Sequence, residues 1–167
     1  EAIVEQFEPK RALLERLEGV VGADAVISSN TSGLSISSLV QGRSERFASR
    51  FLGTHFFNPP RYMKLVEVVP GAATREDLMP RMRAFLTTML GKKVVLARDT
   101  PNFIANRLGI FAIMDLLHRM DREELTVEQV DGLTGPLLGR PRSATLRLCD
   151  VIGLDTLGHV ARTGYEN

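Results

Sequence analysis

The 167-residue sequence has one cysteine, no long apolar run and almost no net charge. Cys149 cannot form an internal disulfide and has no partner for a metal site, which suits a reducing compartment. No stretch approaches the roughly 20 apolar residues of a membrane-spanning helix. The formal charge of +1 provides no basic field for nucleic acid or an anionic membrane, while leaving room for a local basic pocket for an acidic ligand. Gly-x-Gly-x-x-Gly occurs nowhere, and neither does a Gly-Lys-Ser/Thr phosphate loop. There is no nucleophile elbow, no His/Cys/carboxylate cluster at metal spacing, no repeat and no low-complexity tract. Glu1-Ala2-Ile3-Val4-Glu5 carries neither an initiator methionine nor a signal peptide, and the chain stops abruptly at Asn167. A fragment of a longer protein is therefore expected.

What is present is globular in character. Hydrophobic residues at 44% and charged residues at 25% exclude a disordered chain and are enough for one domain or slightly more. Pro9 to Leu17 reads as a helix with Leu13, Leu14 and Leu17 on one face. Ala25 to Ser29 reads as a strand running into the polar turn Asn30-Thr31-Ser32-Gly33. A short helix is expected over Ser35 to Leu39, then a polar connection to Ser49. Phe51 to Phe57 and Lys64 to Pro70 read as strands, separated by the turn former Asn58-Pro59-Pro60. Thr74 to Leu90 is an amphipathic helix with Thr74 as its cap, and Lys93 to Ala97 another strand. This is the rhythm of an α/β sheet.

Beyond Asp99-Thr100-Pro101 only helical signals remain, so a domain boundary is placed there, with units at 1–99 and 100–167. Asn102 to Met120 is a long apolar helix, and Thr126-Val127-Glu128-Gln129 is a capping-box start. Gly132 to Arg142 reads as a loop, followed by helices over Ala144 to Val151 and Thr156 to Arg162.

Two ionisable residues sit on strands whose apolar pattern does not require them. His55 ends one and Glu67 lies within the next. A carboxylate bonded to one ring nitrogen would orient an imidazole and raise its basicity, leaving the other nitrogen to take a proton. The bland alternatives are a hydrogen-bonded core histidine and an outward glutamate on an edge strand, and pattern alone leaves both open. Asn30-Thr31-Ser32 closes a strand, where α/β sheets place ligand contacts. Asn106 lies one turn into an apolar helix and needs hydrogen-bond partners if buried. Asn58 before Pro59 has a similar bland alternative, as a turn former.

Taken together, Ser29-Asn30-Thr31-Ser32, Gly53-Thr54-His55-Phe56-Phe57-Asn58-Pro59, Met63 to Val68, Asp99 to Arg107 and Gly153-Leu154-Asp155-Thr156 resemble the 3-hydroxyacyl-CoA dehydrogenase family. The wording Asn58 to Tyr62 and Pro141 to Thr145 is similar to large bacterial fatty-acid oxidation enzymes fused to an enoyl-CoA hydratase. The resemblance implies α/β followed by all-α: the C-terminal half of a Rossmann-type NAD-binding domain, then an incomplete helical domain for substrate and dimerisation. The glycine-rich loop would lie upstream of Glu1.

The resemblance further implies that His55 is the catalytic base and Glu67 its partner carboxylate. Ser32 and Asn106 would hold the substrate oxygen, and Glu5, Lys10, Ser32 and Asn58 would contact NAD. The expected reaction is NAD-dependent oxidation of an (S)-3-hydroxyacyl-CoA thioester to the 3-oxoacyl-CoA in fatty-acid β-oxidation. A bacterial cytoplasmic setting, a homodimer or larger complex through the helical domain, and a fused hydratase module accompany it. A 3-hydroxybutyryl-CoA dehydrogenase of butyrate or polyester metabolism is the near alternative. A non-catalytic dimerising module is the distant one. No metal is expected, and the isolated chain is expected to be inactive.

Overall fold

The computed structural model describes residues 1–166, which fall into two compact units, Glu1–Ile104 and Ala105 onward. The first unit is a four-stranded mixed sheet in the order β1 (Ile27–Ser29), β2 (Phe51–Phe56), β3 (Leu65–Pro70), β4 (Lys93–Leu96). β1 and β2 are parallel, β2 and β3 antiparallel, and β3 and β4 parallel. Both faces of β2 and β3 are buried, which accounts for their nearly continuous apolar runs. Alternate residues feed separate cores. Phe51 and Val69 join Leu14, Ile36 and Phe47 on one side; Leu52, Val66 and Val68 join Leu78 and Leu86 on the other.

Around the sheet lie α1 (Phe7–Glu18), α2 (Ile36–Leu39), α3 (Glu45–Ala48) and α4 (Leu78–Ala84), the last continued by a π-helical turn over Phe85–Met89. α3 occupies the stretch read as a polar connection; Ser44 caps it by accepting from the Phe47 N–H. α4 starts four residues later than its apolar spacing suggests. The Thr74 hydroxyl does not cap it, because it is committed to the preceding turn, donating to the Phe51 carbonyl at 2.6 Å and accepting from the Gly71 N–H at 2.8 Å.

The second unit contains α5 (Ala105–Arg122), α6 (Val127–Thr134), α7 (Leu146–Ile152) and α8 (Leu154–Glu166). The capping box at Thr126 and Gln129 forms as the sequence suggests. α6 runs on through Gly132, into the stretch read as a loop, and a 3₁₀ turn follows over Pro136–Leu138. The Asp131 carboxylate then accepts the N–H groups of Thr145, Leu146 and Arg147, satisfying orphan donors at the start of α7. No helix among the described residues is long and apolar enough to cross a membrane.

The compact units part between Ile104 and Ala105, whereas sequence texture changes at Asp99. Residues 99–104 belong to the first unit because side-chain and backbone bonds tie them to its sheet and to α2.

Candidate active site

The antiparallel register of β2 and β3 sets His55 directly opposite Glu67. Directly opposed residues share a face, and these two lie on the side of Gly53, Val69 and Ile36. Gly53 has no room for a side chain: a Cβ there would meet Ile36 Cδ1 at 2.8 Å and Val69 Cβ at 3.1 Å. The close seat of α2 on the sheet therefore depends on that glycine.

His55 Nδ1 is 2.7 Å from Glu67 Oε2. Both residues are buried, at 4% and 1% exposure. A buried carboxylate without partners would be costly. Here Oε2 faces the imidazole and Oε1 accepts the Ile104 backbone N–H at 3.0 Å. An ionised carboxylate only accepts, so opposite one Nδ1 is the donating nitrogen and Nε2 is the nitrogen left for another partner. Phe57 and Phe103 flank the ring, with centroids at 4.5 and 5.7 Å. The arrangement is an oriented imidazole in an apolar wall, suited to taking a proton at Nε2.

Ser32 follows the carboxyl end of β1. The Glu5 carboxylate accepts its backbone N–H at 2.7 Å and the Thr31 hydroxyl at 2.5 Å. Behind Glu5 lies Lys10, fully buried, with Nζ at 3.1 Å from Glu1 Oε1, 3.3 Å from Glu5 Oε2 and 3.3 Å from the Ile3 carbonyl. Glu1 is reached through both carboxylate oxygens, each at 3.1 Å, so these three partner groups set four acceptor oxygens around the ammonium. Burial pushes the Glu1 carboxyl up, but bonds from the Ser29 hydroxyl, the Ile3 N–H and Lys10, with the charge of Lys10, hold it below the ordinary value.

Asn30 escaped individual notice in the sequence, yet its Oδ1 accepts the Phe56 N–H at 2.9 Å and ties the end of β1 to the end of β2. Asn58 lies exposed on the turn after β2. Lys92 secures the same turn, donating to the Pro60 carbonyl and, at 2.7 Å, to the Met63 carbonyl. Its position 32 residues from Pro60 hid this role from any local reading. Asn106 is the second residue of α5 and belongs to the helical unit. The structure thus brings His55 to Glu67, and Glu5 and Lys10 to the Ser32 loop, within the first unit.

Residues 1–100 match the family model for the 3-hydroxyacyl-CoA dehydrogenase NAD binding domain, and residues 103–167 that for the 3-hydroxyacyl-CoA dehydrogenase C-terminal domain. The chain belongs to the 3-hydroxyacyl-CoA dehydrogenase family. It is 47% identical over 166 residues to a probable 3-hydroxyacyl-CoA dehydrogenase of Bacillus subtilis, covering 99% of this chain and 21% of that protein. It is 38% identical over 157 residues to a putative fatty acid oxidation complex trifunctional enzyme of Rickettsia prowazekii, covering 94% of this chain and 22% of the other. The crystal structure of the (S)-3-hydroxybutyryl-CoA dehydrogenase of Ralstonia eutropha superposes with a TM-score of 0.90 at 32% identity, covering 99% of this chain and 57% of that one. The chain thus spans about a fifth of the first two relatives.

Within this dehydrogenase family the first domain is the NAD-binding one. The first unit offers polar groups beyond the carboxyl end of β1 that suit such a cofactor. Ser32 follows a parallel strand at its carboxyl edge, where such sheets bind nucleotides. Beside it the Glu5 carboxylate is partly exposed, and Asn58 supplies an amide on an exposed turn. These are neutral and anionic groups suited to a carboxamide and ribose hydroxyls, not to a pyrophosphate.

Proposed function

We propose that this chain carries the proton-transfer site of an enzyme that oxidises (S)-3-hydroxyacyl-CoA thioesters to 3-oxoacyl-CoA. The observation that carries the reading is the buried 2.7 Å contact between His55 Nδ1 and Glu67. It leaves Nε2 as a base, with the carboxylate that orients the ring itself held by the Ile104 N–H.

In the forward direction the 3-hydroxyl gives its proton to Nε2 of His55. Glu67 stabilises the resulting imidazolium across the Nδ1 bond, at low local dielectric where such stabilisation is strong. Ser32, fixed through its backbone by Glu5, hydrogen-bonds the substrate oxygen as it becomes a ketone. Asn106 shares that task on the strength of the family motif it occupies. When bound, NAD accepts the hydride from the same carbon; Glu5, Lys10, Ser32 and Asn58 are the residues of this chain assigned to hold it. Lys10 acts from behind, by fixing the Glu5 carboxylate. In reverse, the His55 imidazolium returns the proton.

General acid–base catalysis of this kind contributes about 10²–10⁴-fold. His55→Gln in the full-length protein should lower kcat by that order and leave NADH affinity unchanged. Near-normal turnover would remove His55 from the mechanism, whereas no turnover in the unaltered full-length protein would favour a non-catalytic dimerising module. Fatty-acid β-oxidation is the setting we favour, because a relative over 94% of this chain is named for a fatty acid oxidation complex. Fusion to a hydratase module, a cytoplasmic bacterial setting and dimerisation through the helical unit belong to the same proposal, and the trifunctional name of that relative supports the fusion. Likeness to a 3-hydroxybutyryl-CoA dehydrogenase structure supports a short-chain reading instead. Comparing kcat/KM for short-chain and long-chain thioesters separates the two.

A further inference from the structure

The segment Asp99–Ile104 touches both halves of the site just described, and its residues have no part in the chemistry. At its start, Asp99 Oδ1 accepts the Ile36 N–H at 2.7 Å, while Oδ2 accepts the Ser37 N–H at 2.8 Å and the Ser35 hydroxyl at 3.1 Å. These donors lie shortly beyond Ser32, at the start of α2. Asn102 is next, 2% exposed and lodged against Gly33: a Cβ on Gly33 would lie 3.0 Å from Asn102 Oδ1. Phe103, also buried, sets its ring 5.7 Å from that of His55. Last, the Ile104 N–H reaches Glu67 at 3.0 Å.

Two adjacent non-glycine residues hold this path in the left-handed region, Asn102 at φ 61° and Phe103 at φ 48°. Such conformations are disfavoured for side-chain-bearing residues and persist where surrounding contacts over-determine them. Here the contacts at either end do so. Asp99 anchors one end on α2 and Glu67 receives the other.

We propose that Asp99 is a positioning residue: it anchors a strap, Asp99–Ile104, that sets the Ser32 loop and the His55–Glu67 pair at a common spacing. The inference rests on His55 and Ser32 having the roles assigned above. Asp99 is given no contact with substrate or cofactor in this proposal and acts through Ser35, Ile36 and Ser37. Its carboxylate satisfies two backbone N–H groups of α2 at once, which an asparagine, with a single acceptor oxygen, does only in part.

A double-mutant cycle in the full-length protein tests this. A misplacement of about 1 Å in such a site can cost on the order of 10²-fold. Asp99→Ala should therefore lower kcat by about that factor with little change in KM for the thioester, and Asp99→Asn should recover part of the loss. Acting through Ser32, Asp99→Ala should cost much less in a Ser32→Ala background, since residues acting as a unit are non-additive. Full additivity, or a lower melting temperature with unchanged kcat, overturns the proposal. If Asp99→Ala does not fold, the same cycle run with Asp99→Asn decides it by the same criteria. His55→Gln measured alongside separates the two failures. Retained turnover there sinks the base assignment; lost turnover there with unaltered kcat in the Asp99 variants sinks the strap.

Discussion

Glu67 is defined by what its two oxygens accept, and that makes glutamine an informative replacement. A glutamine amide in its place could keep the Ile104 bond through its oxygen, but would then present an N–H to His55 Nδ1. The imidazole proton would move to Nε2, where the base needs its lone pair. Glu67→Gln should therefore retain the fold and lower kcat by up to about 10⁴-fold, the scale of a wrong-tautomer defect. Steady-state kinetics beside a thermal melt distinguish this from unfolding. Cys149 is the opposite kind of residue. Burial, and then the negative charge of Asp131, push its thiol above the ordinary value, so the thiolate is scarce at neutral pH. Iodoacetamide at about pH 8, near the ordinary thiol pKa, should leave it unmodified in the native protein and alkylate it in guanidinium chloride, as read by intact mass.

Among the elements, the β2–β3 hairpin carries His55 and Glu67, and Gly53 sets how closely α2 sits on it. Gly53→Ala would drive a methyl into Ile36 and Val69. Overpacking of this kind costs about 1–3 kcal/mol, which lowers Tm by roughly 3–10 °C in a chain of this size. A calorimetric scan checks it. Legibility varied between elements for the same reason that their partners do. The hairpin was readable because apolar strand runs and a proline turn are local signals. The start of α4 was misplaced because the Thr74 hydroxyl finds the Phe51 carbonyl, 23 residues away. The end of α6 was misplaced because Gly132 suggested a break. Glycine costs a helix interior only about 1 kcal/mol.

For the whole molecule, cofactor affinity is the informative quantity. No glycine-rich phosphate loop occurs in the 167 residues, and the residues proposed to hold NAD are assigned to its nicotinamide end. We expect the 167-residue chain by itself to show no saturable quenching of NADH fluorescence at micromolar concentrations and no turnover. Saturable binding by this chain alone would mean that Glu5, Asn58 and the Ser32 loop hold more of the cofactor than proposed.

Family membership, the α/β-then-α order and the candidate pair His55 and Glu67 were available from the residues alone. Strand patterning, turn residues and capping boxes are short-range signals, and the motif residues stand in order along the chain. Tertiary structure decided the rest. It placed Lys10 inward behind Glu5 and gave Glu67 a second partner in the Ile104 N–H. It also bound Asp99 to the start of α2, 63 residues away at Ile36. Such bonds depend on which buried donors and acceptors the packed sheet brings together, and no local pattern carries that information.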